Sequence, residues 1–216
     1  CDDGNPCTGT GLCDGATAVC ATGDPITCPA CEACDGVGGC VIGPLGICRG
    51  ISGKKAKLIV KNRTPDTRDV LVWKFNKLVD ETEAADFGTP TDPGASAYDF
   101  CIFQDTDPDP ETMVPELIAH VTVPPGPPWA LAGTGYMYKK QTSNPRGLLK
   151  LGVKAVDGVG KVNLKAKAAE VPVMSLPLGT PVVVHLQTEA TCWQARYSTT
   201  KLSTGETFKG LADDLP

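Results

Sequence analysis

The chain has 216 residues, 41% hydrophobic, 21% charged and 6% aromatic, enough for one ordinary core with a small appendage but not for two large domains. A formal net charge of −5 and a pI near 5.0 argue against nucleic-acid binding, which wants a basic face. No run approaches the roughly 18 apolar residues of a membrane span, and the most apolar tract, residues 171–184, is interrupted by Pro172, Pro177, Gly179 and Pro181.

Nine of the eleven cysteines fall in residues 1–50: Cys1, Cys7, Cys13, Cys20, Cys28, Cys31, Cys34, Cys40 and Cys48. Few large apolar side chains accompany them, so disulfides rather than a core must hold this stretch, and such cysteine use suits an oxidising, extracellular or cell-surface location. The chain opens at Cys1 without a leader and is expected to be the processed form of an exported protein. An internal echo runs through the region: Cys7, Cys13-Asp14-Gly15 and Cys20 are answered by Cys28, Cys34-Asp35-Gly36 and Cys40. Two stapled loops in tandem predict a thin, extended arm over residues 1–50. The opening Cys1-Asp2-Asp3-Gly4-Asn5-Pro6-Cys7-Thr8 resembles the cysteine-rich repeats of slime-mould extracellular-matrix proteins and related repeats of secreted bacterial surface proteins. That resemblance spans about the first 20 residues; it implies an extracellular, structural setting and carries over no catalytic residue.

Cys28-Pro29-Ala30-Cys31-Glu32-Ala33-Cys34 has the spacing of a metal or iron–sulfur ligand set. Cys40 is a poor fourth ligand, and an oxidising compartment consumes thiolates, so disulfides are the preferred reading and no bound metal is expected there. Nine cysteines cannot all pair among themselves. Cys1 is the candidate for an intermolecular disulfide or, as in bacterial lipoproteins, for a lipid anchor.

From residue 51 the pattern becomes period two, defining a second domain over residues 51–216. Ala56, Leu58 and Val60 alternate with Lys57, Ile59 and Lys61; Leu71, Trp73 and Phe75 share a face; Val162, Leu164, Ala166 and Ala168 alternate with Lys161, Asn163, Lys165 and Lys167. Further strands are predicted over 97–104, 116–123, 135–141, 147–155, 181–188 and 192–199, separated by turn signals such as Asn144-Pro145 and Asp157-Gly158. Nothing of helical length has a 3.6-residue period. About nine strands read as an all-β fold, a β-sandwich of immunoglobulin-like or jelly-roll type. Cys101 and Cys192 are the two cysteines of this domain, and a disulfide between them is expected. The stretch from Gly135-Tyr136-Met137-Tyr138 to Cys192-Trp193 is similar to domains of uncharacterised secreted bacterial proteins, a likeness that brings no activity with it.

His120 and His185 read as residues on the less apolar faces of their strands, with no triad or His-x-x-His pattern beside them, so no enzyme activity is expected. The acidic loop from Asp105 to Glu111, and Asp2, Asp3 and Asn5, offer oxygens to Ca²⁺, but stiff alternating prolines and a missing EF-hand glycine favour a solvated loop. Asn62-Arg63-Thr64 is an N-glycosylation sequon followed by Pro65, and residues 88–97 have a composition suited to O-glycans. Residues 114–169 are rich in Lys and Arg while residues 1–50 are acidic, a polarity that serves solvation and edge protection or lets the body of one copy meet the arm of the next.

The leading expectation is a structural subunit of an extracellular filament or surface matrix, its partners other copies of itself and covalent glycans, joined head-to-tail through the arm and the strand following it, residues 51–61. The alternative is a monomeric carbohydrate-binding or adhesive module with Trp129, Tyr136 and Tyr138 as a sugar platform.

Overall fold

The computed structural model describes residues 12–14, 19–21, 28–34, 37, 39–44, 48–50, 55–76, 82–107, 114–139, 146–167, 169–172, 175–189 and 191–213. Cys1, Cys7 and the first Ca²⁺ candidates Asp2, Asp3 and Asn5 lie outside them, as do the side chains of Cys13 and Cys20. Two small hairpins come first, β1 (Leu12–Asp14) with β2 (Val19–Ala21) and β3 (Glu32–Cys34) with β4 (Cys40–Ile42). Twelve strands follow: β5 (Ala56–Lys61), β6 (Val70–Phe75), β7 (Tyr98–Asp105), β8 (Pro115–Val123), β9 (Trp129–Leu131), β10 (Gly135–Lys139), β11 (Leu148–Val156), β12 (Val159–Lys167), β13 (Val182–Gln187), β14 (Cys192–Tyr197), β15 (Thr200–Thr204) and β16 (Thr207–Leu211). They make a sheet of eight, in the order β15-β16-β5-β6-β12-β11-β10-β9, and a sheet of four, β14-β13-β7-β8.

The protein is a disulfide-rich, all-β sandwich, as its alternation predicts, and its eight-to-four division is more uneven than that of immunoglobulin-like or jelly-roll sandwiches. Leu58, Trp73, Leu151 and Leu164 from the large sheet meet Phe100, Ile102, Val184 and Trp193 from the small one in a single core. Asp157 and Gly158, both at positive φ, form the two-residue connection between the paired Val156 and Val159, the geometry that matches the twist of a hairpin. All nine predicted strands are present. β9, β15 and β16 lacked a signal for local reasons: β9 has three residues, β15 is exposed along most of its length, and β16 turns Gly210 inward. A Cβ on Gly210 would come within 2.7 Å of the Tyr197 ring, so only glycine fits where the pattern calls for an apolar side chain.

The cysteine pairing differs from expectation. Cys31 bonds Cys101 and Cys48 bonds Cys192; Cys28 bonds Cys40 within the β3–β4 hairpin. Cys101 on β7 and Cys192 on β14 cannot reach each other, because β13 lies between them. Two strand spacings amount to roughly 10 Å, beyond the roughly 7 Å between Cα atoms that a disulfide spans. The described residues between 28 and 50 are therefore not an outlying arm: two bonds fasten them to the sandwich, and Arg49 forms a parallel bridge with Trp193 of β14.

Candidate functional site

The two inner strands of the small sheet are buried on both faces, β7 along its centre and β13 at all six positions. One face belongs to the main core. On the other, Cys101, Phe103 and Val183 form a second cluster with Cys31 of the hairpin, with Leu117 packed against it. A β-bulge explains Leu117: Phe103 pairs with Leu117 but Ile102 with Ala119, so Ile118 is the extra residue and the simple alternation along β8 breaks there. Ile118 accordingly packs against the main core rather than beside His120.

His185, on the less apolar face of β13, lies under this cover. It is fully buried, with Nε2 2.7 Å from Gln194 Oε1, Nδ1 3.9 Å from Cys48 Sγ, and the Phe103 ring edge-on at 5.5 Å. Burial pulls its pKa down from 6.5 to about 4, with the Gln194 hydrogen bond working weakly the other way. In the unfolded chain the ring titrates normally, so between pH 6.5 and about 4 the unfolded state takes up a proton that the native state refuses. Stability is therefore full above that window and is expected to fall by about 3 kcal/mol as pH drops through it. Urea titrations at stepped pH check this; a His185→Gln variant should lack that part of the slope.

His120 is half-buried on β8, its Nε2 2.8 Å from Asp99 Oδ1, and the Thr122 hydroxyl donates to the same carboxylate oxygen at 2.6 Å. Thr122 Oγ1 also lies 3.2 Å from Nε2. A nucleophilic relay needs the carboxylate on one ring nitrogen and the hydroxyl on the other. Here both crowd the same nitrogen, an arrangement that ties β7 to β8.

One ligand atom each from Cys31, Cys101 and His120 lie within 4.8 Å of one another, a metal-like grouping whose two sulfurs are spent in a shared disulfide. Cys34 is also disulfide-bonded, so the Cys28-x-x-Cys31-x-x-Cys34 run feeds three different bridges. Of the acidic loop, Asp105 is buried and its Oδ1 accepts from the backbone N–H groups of Asp107 and Val114, while residues 108–113 lie outside the described set. Asn62 follows β5, half-buried, its N–H donating to the Glu206 carbonyl. The Thr- and Pro-rich residues 88–96 form mostly exposed turns, closed by backbone bonds from Asp92 to Thr89 and from Ala95 to Asp92.

The sugar platform does not assemble. Trp129 and Tyr138 are buried, in ring contact at 5.6 Å, and Trp129 also meets Tyr98 at 5.2 Å; Tyr136 packs against the same core. Two surface features carry no motif in the sequence. The first is a set of exposed apolar side chains on and beside the hairpin: Val37 is 86% exposed, Val41 49%, Ile42 51% and Val114 53%. Gly43 follows Ile42 and abuts Pro115, which follows Val114, with a Cβ position at Gly43 only 3.3 Å from the proline ring. The hairpin thus meets the foot of β8, the edge strand of the small sheet. The second feature is the lysine-bearing outer face of the large sheet.

No family model matches the chain, and neither curated proteins nor solved structures gave a match.

Proposed function

We propose that the chain is a structural subunit of an extracellular filament or surface matrix, assembling with copies of itself. The observation that carries this reading is the exposure of Val37, Val41 and Ile42 on a disulfide-fastened hairpin, and of Val114 beside it at the foot of an edge strand. Apolar side chains standing in water beside unpaired backbone groups mark an interface, and a sheet edge adds register through backbone hydrogen bonds. Two disulfides tether the hairpin, which reduces the chain entropy that docking would cost.

Contact through the strand after the cysteine-rich segment is not the route. β5 sits between β6 and β16, so both its edges are already paired. The hairpin and β8 take over that role. Three bridges, and a fourth engaging Cys34, suit a chain working outside the cell, and among the described residues no helix is long and apolar enough to cross a membrane. Glycans at Asn62 or on residues 88–97 belong to the same reading.

Light scattering of the purified chain over a concentration series tests it. Mass should rise with concentration, and the pair Val41→Asp and Ile42→Asp should bring it down to the single chain without shifting the thermal midpoint. A chain that stays monomeric throughout, or variants that assemble as before, would contradict it.

A further inference from the structure

The eight strands of the large sheet hold two lysines in β5, one in β6, one in β10, two in β11, three in β12 and one each in β15 and β16; all 25 Asp and Glu residues and every Arg lie outside them. Except for Lys201, at the bulge in β15, these lysines alternate with core residues and project from the outer face. Register then puts like charges opposite one another: Lys139, Lys150 and Lys165 in one row, Lys154 against Lys161, Lys74 against Lys57. Among the described residues none of these lysines is in an ion pair.

Directly opposed like charges destabilise a sheet, and a face selected for solubility alone mixes both signs. A lattice of one sign in a chain of net charge −5 thus runs against stability and calls for a partner that neutralises it. The face also has a shallow groove of about 380 Å³, lined by Lys150, Lys154, Lys161, Asn76, Asn163 and Met137. Gly152 makes the room: a Cβ there would fall 2.9 Å from the Met137 methyl.

We infer that this outer face binds an acidic polysaccharide, with lysine ammonium groups on its carboxylates or sulfates and Asn76 and Asn163 on its hydroxyls. A second copy of the chain is the competing occupant; five of its carboxylates are already engaged at home, Asp86 with Arg49, Asp99 with His120, Asp69 with the Arg63 N–H, Asp213 with the Ser198 N–H and Glu116 with Gln104. Nucleic acid is matched less well, since the strands contain no Arg and their aromatic side chains are turned into the core rather than out to stack on bases. The inference does not depend on filament formation, for the groove lies on the opposite sheet from the hairpin.

Binding of the purified chain to heparin, to polygalacturonate and to neutral dextran, at two salt concentrations, tests it. At least one acidic polymer should bind, more weakly at high salt, and dextran should not. Substituting Lys150, Lys154 and Lys161 together by Gln should weaken binding by about tenfold or more while leaving the thermal midpoint unchanged or higher, as repulsion is relieved. The inference is overturned if neither acidic polymer binds, if the triple variant binds as well, if single-stranded DNA binds more tightly than either polymer, or if the variant alters self-association alone.

Discussion

Replacing Cys31 and Cys101 together by serine is expected to lower the unfolding free energy by about 2–4 kcal/mol. The bond joins positions 70 apart in sequence, whereas Cys28–Cys40 closes a separation of 12, so the first restricts the unfolded chain more. In the native state it fastens the hairpin over Phe103, Val183 and Leu117. Without it the cover lifts, water reaches those side chains, and a protease finds the backbone between Cys28 and Cys48. Urea unfolding should show a lower midpoint, and limited proteolysis should cut within residues 28–50 before the sandwich is touched. An unchanged midpoint with an uncut hairpin would mean that the covered face holds by packing alone. Substituting both partners keeps a lone buried thiol from confusing the result.

The second large effect is at Trp73. It is fully buried on β6, its ring 5.1 Å from Phe75 and 5.6 Å from Phe100, so it packs against both sheets at once. Its Nε1–H donates to the Tyr197 hydroxyl at 3.0 Å, giving that buried phenol a partner. Trp73→Ala is expected to cost about 3–5 kcal/mol through the cavity it leaves, with a further loss from the deprived hydroxyl. Trp73→Phe keeps part of the volume and should cost distinctly less. Denaturant melts of the two variants should rank in that order; near-equal stability of Trp73→Ala and the parent would mean the core centre lies elsewhere. Tyr197 shares this environment: burial raises its pKa far above the ordinary phenol value, so its ultraviolet titration should stay silent until the chain unfolds.

The sandwich was legible wherever one face of a strand is wet. Lys57, Lys74, Lys161 and Lys165 mark the outer side of the large sheet, and the alternation they make with Leu58, Trp73, Val162 and Leu164 places those strands correctly. The same logic put His185 on the less apolar face of β13, opposite Val182, Val184 and Leu186, but could not show it buried, because nothing local shows that a distant hairpin covers that second face. It missed the break in β8, since an extra residue at Ile118 leaves no mark in composition. Disulfide partners depend on which strands are neighbours, and the order β14-β13-β7 that separates Cys192 from Cys101 is a long-range property. The hairpin's exposed apolar residues were hidden for a plainer reason: Val37, Val41 and Ile42 are few among many small residues, and only their exposure, on a hairpin that meets β8, gives them meaning. The uneven distribution of lysines was visible in the sequence, but the confrontation of Lys154 with Lys161 and of Lys74 with Lys57 appears only once register is known.

The proposed role of the chain as a building unit is tested most directly by negative-stain electron micrographs of the purified, oxidised protein at high concentration. Ordered fibres or sheets are expected, dissolving into single particles when Val41 and Ile42 are both changed to Asp. A field of separate particles of single-chain size from the unaltered protein would contradict it.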